Sequence, residues 1–141
     1  MTVPRVTSVS PGVEGGEDAA VTIDNVEKHF GSVHALQGIS ARIDYGHLTG
    51  LVGPDGAGKT TLMRILTGLL APSAGRATVA GFDVVDDRDA IHVVSGYMPQ
   101  RFGLYEDLSV IENMRLYARL RGLEADAHAD LFDELLAFTR L

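Results

Sequence analysis

One loop constrains the fold of this chain more than any other feature. Residues 53–60 read Gly-Pro-Asp-Gly-Ala-Gly-Lys-Thr and directly follow Leu48–Val52, a short, mostly apolar run that predicts a buried strand. Apolar residues at helical spacing come next: Leu62, Ile65, Leu66 and Leu69. They predict a helix that begins near Gly58 and stops before Pro72. A strand, a glycine-rich loop and a helix in this order predict an α/β domain with a phosphate-binding loop.

The residue types in this loop suit a polyphosphate. Because Gly56 and Gly58 lack Cβ atoms, the backbone can curl until successive N–H groups point into one concavity, and the helix N-terminus adds further donors. We expect Lys59 to lie between the β- and γ-phosphates and the Thr60 hydroxyl to bind Mg²⁺. Asp55 is expected to point outward, because a carboxylate beside phosphate costs affinity. The predicted nucleotide contacts are Gly53, Pro54, Asp55, Gly56, Ala57, Gly58, Lys59, Thr60 and Thr61.

Composition limits the other functions open to the chain. Twelve basic against 19 acidic residues give a net charge of −7, which repels nucleic acid and leaves phosphate binding to local geometry. The absence of Cys excludes disulfides, zinc–thiolate sites and thiol nucleophiles. No run approaches the roughly 18 to 20 apolar residues of a membrane span, so a cytoplasmic location is expected. The histidines show no metal-ligand spacing and are expected at the surface or in loops: His29, His34, His47, His92 and His128.

The first half of the chain predicts a tail and a β-hairpin. Residues 1–19 are rich in Pro and Gly, show no periodicity and predict a disordered tail, with a partial nucleotide-binding domain over 20–141. Val21–Asp24 and Ile39–Ile43 alternate apolar and polar side chains and predict two half-buried strands, with a turn at His29–Ser32.

The second half predicts a mixture of strands and helices. Arg76–Ala80 predicts a brief strand, and Asp86–His92 a short helix. Val93–Met98 predicts a β-rich run that Pro99 halts, which places Gln100 just beyond a strand end.

The C-terminal third predicts two helices. Ser109 followed by Glu112 forms a capping box, and Gly122 is placed to stop the helix that the box opens. A second helix is expected from about 125 to 138. Its apolar residues still follow helical spacing where the sequence ends at Leu141, so the domain is expected to be truncated there.

These motifs resemble the ATP-binding cassette (ABC) ATPases, most closely the transporter subunits of the drug- or export-associated kind. The resemblance covers about Val21–Leu141 and includes the loop, in which Asp55 stands where Asn is common. Tyr97–Gln100 and Leu104–Asn113 resemble the Q-loop and the entry to a helical subdomain. The resemblance implies a P-loop NTPase fold of the ABC type, with an N-terminal antiparallel β-subdomain and the start of a helical subdomain.

The resemblance also implies roles for single residues, with ATP and Mg²⁺ as ligands. Lys59 and Gln100 would be catalytic, and Gln100 would join Thr60 at Mg²⁺ and approach the attacking water, since an amide both donates and accepts. The alternative is a polar residue that caps a strand end. Phe30 would stack on adenine through its ring face, and the alternative is an ordinary core residue beside a turn.

The implied partners are a transmembrane transporter subunit and a second ATP-binding subunit in a head-to-tail dimer, which would hold the chain at the inner membrane surface. The hydrolytic motifs of the family are absent: a Leu-Ser-Gly-Gly-Gln signature, an apolar strand ending in Asp-Glu, and a switch histidine. Phe132–Glu134 is rejected as that strand, because its surroundings have helical spacing.

Two hypotheses follow from the resemblance. Either the chain is the N-terminal part of an ATPase that drives transport, or it is a non-hydrolysing nucleotide-binding or interaction fragment. A P-loop kinase is a weaker third option, because no acceptor pocket is indicated.

Overall fold

The computed structural model describes residues 5–9, 19–100, 103–123 and 129–140. They divide into two compact units, Met1–Tyr97 and Met98–Leu141. The elements in chain order are β1 (Arg5–Val9), β2 (Ala19–Phe30), β3 (Val33–Asp44), β4 (Leu48–Val52), α1 (Lys59–Leu66), β5 (Ala74–Val79), β6 (Phe82–Asp83), α2 (Arg88–Val94), α3 (Val110–Leu120) and α4 (Ala129–Thr139).

An antiparallel sheet with the strand order β3-β2-β5-β6 forms the frame of the first unit. The two predicted hairpin strands are confirmed, and each is longer than the sequence pattern indicated. The turn is also shorter than predicted, because His29 and Phe30 still pair with β3 and only Gly31 and Ser32 connect the strands. Gly31 has a φ of 57°, which a two-residue hairpin turn requires and glycine adopts without strain.

The strand that precedes the predicted phosphate-binding loop lies in a second, two-stranded sheet. β4 pairs antiparallel with β1, from Arg5 opposite Val52 to Val9 opposite Leu48. The predicted tail therefore differs from the structure at residues 5–9, while residues 1–4 and 10–18 lie outside the described residues. The β-branched residues of Arg5–Val9 favour extended backbone, and the edge of β4 supplies the hydrogen-bonding partner that residues 5–9 alone could not predict.

The helix after the loop packs against the four-stranded sheet. Leu62 and Ile65 are buried in one cluster with Val26, Leu36 and Ile39 of the hairpin, as the apolar stripe predicted.

The end of this helix was predicted too late. α1 ends at Leu66, because Gly68 adopts a φ of 71° and the Thr67 hydroxyl donates to the carbonyl oxygen of Met63. Leu69 is consequently not on the helical stripe, and its side chain is 55% exposed. The helix stop is a glycine, not Pro72.

The β-rich run predicted at Val93–Met98 is wrong. Val93 and Val94 are the last residues of α2, and residues 95–99 form neither helix nor strand. The strand preference of valine depends on packing against the side chains of neighbouring strands, and none of the described strands pairs with this segment. The strand predicted near Arg76–Ala80 is confirmed as β5, and the short helix at Asp86–His92 as α2.

The second unit consists of helices, as the sequence predicted. The capping box is present: the Ser109 hydroxyl accepts from the Glu112 N–H, and the Ser109 N–H donates to the Glu112 carboxylate over 2.8 Å. The Ser109 hydroxyl and N–H together lower the pKa of Glu112 below its ordinary value. Phe132–Glu134 lies in α4, which confirms that this segment is helical. Phe132 is buried against Ala118 of α3.

The side chain of Asn113 stabilises the loop before α3 through hydrogen bonds to its backbone, a role that was not predicted from the sequence. Its side chain is 5% exposed; Oδ1 accepts from the Tyr105 N–H, and Nδ2 lies within hydrogen-bonding distance of the carbonyl oxygens of Tyr105, Leu108 and Ser109. One amide thus replaces the backbone partners that this irregular loop lacks.

We expect Asn113→Ala to lower the free energy of unfolding of the second unit by about 2 to 3 kcal/mol, because it leaves several backbone groups unpaired. Urea unfolding followed by circular dichroism measures this loss. Arg119→Ala, an exposed change on the same helix, is the control and should stay within about 0.5 kcal/mol of the wild type. Equal stability of the two variants would contradict the assigned role of Asn113.

None of the helices within the described ranges is long and apolar enough to cross a bilayer.

Candidate functional site

The loop between β4 and α1 has two glycines in the left-handed region, at the positions where the sequence analysis expected the backbone to curl. Gly56 and Gly58 have φ values of 77° and 90°, which glycine adopts readily. Gly58 also lies against the hairpin, since a Cβ atom there would stand 2.4 Å from the carbonyl oxygen of Ala35 and 2.8 Å from Leu36 Cδ2. The two glycines therefore differ: Gly56 is needed for its φ, and Gly58 for its φ and for the close approach to β3.

Lys59 closes the loop on itself. Its ammonium group donates to the carbonyl oxygens of Gly53 and Pro54, both at 2.7 Å, and the Ala57 N–H donates to Pro54 over 3.3 Å. An ammonium has three donors, so one remains for a further acceptor. The sequence predicted a cation in this loop, and the structure places the Lys59 ammonium on two of the loop's own carbonyl oxygens.

The start of α1 is open to an anion. Gly58 precedes the helix as its N-cap, no described side chain caps it, and the first turn contains no acidic residue. The first N–H groups of a helix have no partner within the helix, and they form its positive end. Together with the Lys59 ammonium they make an electropositive loop on a chain of net charge −7.

The remaining loop residues lie as expected for a site that opens to solvent. Thr60 is exposed and Thr61 is half-buried, so the Thr60 hydroxyl is accessible to a cation. Asp55 is exposed, in agreement with the expectation that it points outward. Only Ala57 is buried in the loop, at 7% exposure.

Phe30 ends β2 with its side chain 50% exposed, so it is not the core residue that the alternative described. The Lys28 ammonium lies 5.3 Å from the centre of the ring and donates to the carbonyl oxygen of Ala71 over 2.7 Å. The ring thus has a cation–π contact with Lys28, and half of the side chain remains exposed to solvent. Lys28 was missed by the sequence analysis, because nothing local links it to residue 71.

Gln100 is exposed and follows a segment without a strand, so it does not cap a strand end. It belongs to the second unit, whereas the loop belongs to the first. Its predicted approach to Mg²⁺ and water stays a prediction.

None of the four histidines that the structure describes is buried, in agreement with the expected surface or loop positions, although three of them lie in strands or a helix. His29 and His34 lie in β2 and β3, His92 lies in α2, and His128 is outside the described residues. Among the described residues, no group of three or more His, Asp and Glu side chains could hold a metal ion.

Comparison with known proteins places these features in a family. Residues 36–140 match the family model described as ABC transporter. The probable multidrug ABC transporter ATP-binding protein YbhF of Escherichia coli (strain K12) is 53% identical over 126 residues, which are 88% of this chain and 22% of the relative. The daunorubicin resistance ATP-binding protein DrrA3 of Streptomyces coeruleorubidus is 43% identical over 119 residues, 84% of this chain and 38% of the relative. The chain thus spans less than half of either curated protein.

Solved structures agree on the fold. An ATP-binding subunit of an ABC transporter has a TM-score of 0.65 at 21% identity, over 84% of this chain and 49% of that one. The ATP-binding cassette MJ0796, solved as a dimer bound to ADP and Pi, has a TM-score of 0.60 at 27% identity, over 72% of this chain and 47% of that one.

Proposed function

This chain belongs to the ABC transporter family, and from that membership we propose that it binds MgATP at residues 53–61 as the ATP-binding part of a transporter. The observation that carries the proposal is the closed loop: Lys59 held by the carbonyls of Gly53 and Pro54, beside the uncapped start of α1. The ammonium keeps a third donor beyond its two bonds to the loop carbonyls, and a polyphosphate at the helix start would accept it. Thr60 would bind the Mg²⁺ that accompanies the nucleotide, with water and phosphate oxygens as the other ligands.

The proposal extends to hydrolysis coupled to transport. Gln100 would orient the attacking water, and Lys59 would neutralise charge on the γ-phosphate. The relatives named for multidrug transport and daunorubicin resistance favour an exporter of organic compounds. The alternative is a fragment that binds nucleotide without turnover.

The proposed partners are those of the family. A transmembrane subunit would hold the chain at the cytoplasmic face of the membrane, and a second ATP-binding subunit would complete each nucleotide site in a head-to-tail dimer. The dimeric neighbour bound to ADP and Pi supports the second of these partners.

Equilibrium dialysis with radiolabelled ATP tests the binding proposal. Saturable uptake that depends on Mg²⁺ and is displaced by ADP is the expected result. Folded protein that takes up no ATP would overturn the proposal. Phosphate release at saturating MgATP then separates the two forms of it, because only the hydrolytic form predicts turnover.

We expect Phe30→Ala to weaken ATP binding by about tenfold, since base–aromatic stacking contributes roughly 1 to 3 kcal/mol. Tripolyphosphate, which has no base, should bind the variant and the wild type equally. Phe30→Tyr retains the ring and serves as the matched control in the same dialysis experiment. If tripolyphosphate binding fell by as much as ATP binding, Phe30 would act on the loop and not on the adenine.

A further inference from the structure

Two histidines face each other across the β2–β3 hairpin. His29 and His34 are directly opposed in the strand register, one pair away from the pair Phe30–Val33 that flanks the turn. Their Nδ1 atoms are 3.3 Å apart, and the ring centres are 4.9 Å apart with the planes at 80°. His29 is half-buried and His34 is exposed, so the space beside the two nitrogens is open to solvent.

The backbone fixes this pair. β2 and β3 pair on both sides of it, at Lys28–Leu36 and at Phe30–Val33, and the His29 N–H donates to the Ser73 hydroxyl over 3.1 Å. The two rings therefore start from positions that the hairpin sets. A ligand that needs both rings would bind without a large cost in ordering them.

The contact between the rings joins two nitrogens of the same kind. A neutral imidazole carries a proton on one nitrogen and a lone pair on the other, so the Nδ1–Nδ1 hydrogen bond uses one proton and one lone pair. A metal cation in the same place would accept both lone pairs, and each Nε2 would then carry its ring's proton toward its surroundings.

The separation of the two nitrogens identifies the class of cation. Zn²⁺ binds histidine nitrogen at about 2.0 to 2.1 Å in tetrahedral geometry, which places two such ligands about 3.3 Å apart. Imidazole suits zinc and the later first-row metals, whereas Mg²⁺ and Ca²⁺ select oxygen ligands.

We propose that His29 and His34 form a two-histidine binding site for a divalent transition metal ion, with Zn²⁺ as its representative. Water fills the other coordination positions, because no third His, Asp or Glu among the described residues completes a larger cluster. The site uses no residue of the loop 53–61. Because the ion binds the folded hairpin and not the separated strands, it stabilises the fold by an amount that rises with the logarithm of its concentration once that exceeds the dissociation constant.

Zinc titration of the full chain without nucleotide tests the proposal, read out by competition with a chromogenic chelator and by thermal melting. The wild type should bind Zn²⁺ and melt at a higher temperature with Zn²⁺ than with Mg²⁺. His29→Gln and His34→Gln should each weaken zinc binding at least about tenfold. Removing a residue that only supports a metal ligand already lowers metal affinity by about 10- to 100-fold. His47→Gln removes another histidine of the same unit and should bind as the wild type does.

Three results would overturn the proposal: no zinc binding by the wild type, unchanged affinity in both hairpin variants, or an equal loss in His47→Gln. Circular dichroism first checks that each variant is folded. If a variant unfolds, NMR of the unaltered chain decides instead, because Zn²⁺ must then shift the ring signals of both His29 and His34. Shifts confined to other histidines would reject the site.

Discussion

Replacing Lys59 with alanine is expected to weaken MgATP binding on the order of 100-fold without unfolding the chain. Its ammonium lies 2.7 Å from two carbonyl oxygens of the loop, and its donors can be transferred from these oxygens to phosphate. Two hydrogen bonds to a charged group contribute at least about 1.5 kcal/mol each, and about 3 kcal/mol in total corresponds to roughly 100-fold in affinity. The fold should persist, because the carbonyls of Gly53 and Pro54 belong to exposed residues that water can solvate.

A matched control separates local geometry from overall charge. Arg64→Ala removes one positive charge from an exposed position on the same helix, at the end remote from the loop. Dialysis should show a far smaller loss of ATP affinity for this variant, since an exposed side chain without a direct contact to the nucleotide acts on it only through water and is weakened by salt. If Arg64→Ala and Lys59→Ala lost the same affinity, a general positive field would bind the nucleotide and the loop would have no special role.

Local chemistry made part of this structure predictable from the sequence. The glycines of the loop, the capping box at Ser109 and Glu112, and the stripe of Leu62 and Ile65 each depend on residues within one or two helical turns. Such signals need no knowledge of distant segments, so the loop, α1 and α3 could be placed before the fold was known.

Features that depend on distant residues could not be placed in this way. Pairing of residues 5–9 with β4 joins residues 39 to 47 positions apart, and the hydrogen bond from Lys28 to Ala71 spans 43 positions. The opposed histidines are five residues apart, a spacing without meaning until the register of β2 and β3 is known. By contrast, Val93 and Val94 have strand propensity but end a helix, and no described strand pairs with them.

Gly58→Ala is expected to destabilise the first unit by about 3 kcal/mol or more. A left-handed φ costs a residue with a Cβ atom roughly 1 to 3 kcal/mol, and Gly58 has a φ of 90°. The added methyl group would also stand 2.4 Å from the carbonyl oxygen of Ala35 and 2.8 Å from Leu36 Cδ2, and overpacking typically costs a further 1 to 3 kcal/mol. Backbone on one side and a buried leucine on the other leave the methyl group little room.

Gly56→Ala isolates the conformational part of this loss. Its φ is 77°, but a Cβ atom there meets nothing within 4 Å, so the cost should be roughly 1 kcal/mol. Thermal unfolding of the two variants should differ in midpoint by several degrees, since 1 kcal/mol moves a domain of this size by about 4 to 8 °C. Equal midpoints would mean that the close approach of the loop to β3 contributes nothing. A lower midpoint for Gly58→Ala would show that the missing Cβ atom lets α1 start directly against the hairpin. The predicted phosphate-binding loop and the hairpin that carries Phe30 would then be coupled through Gly58.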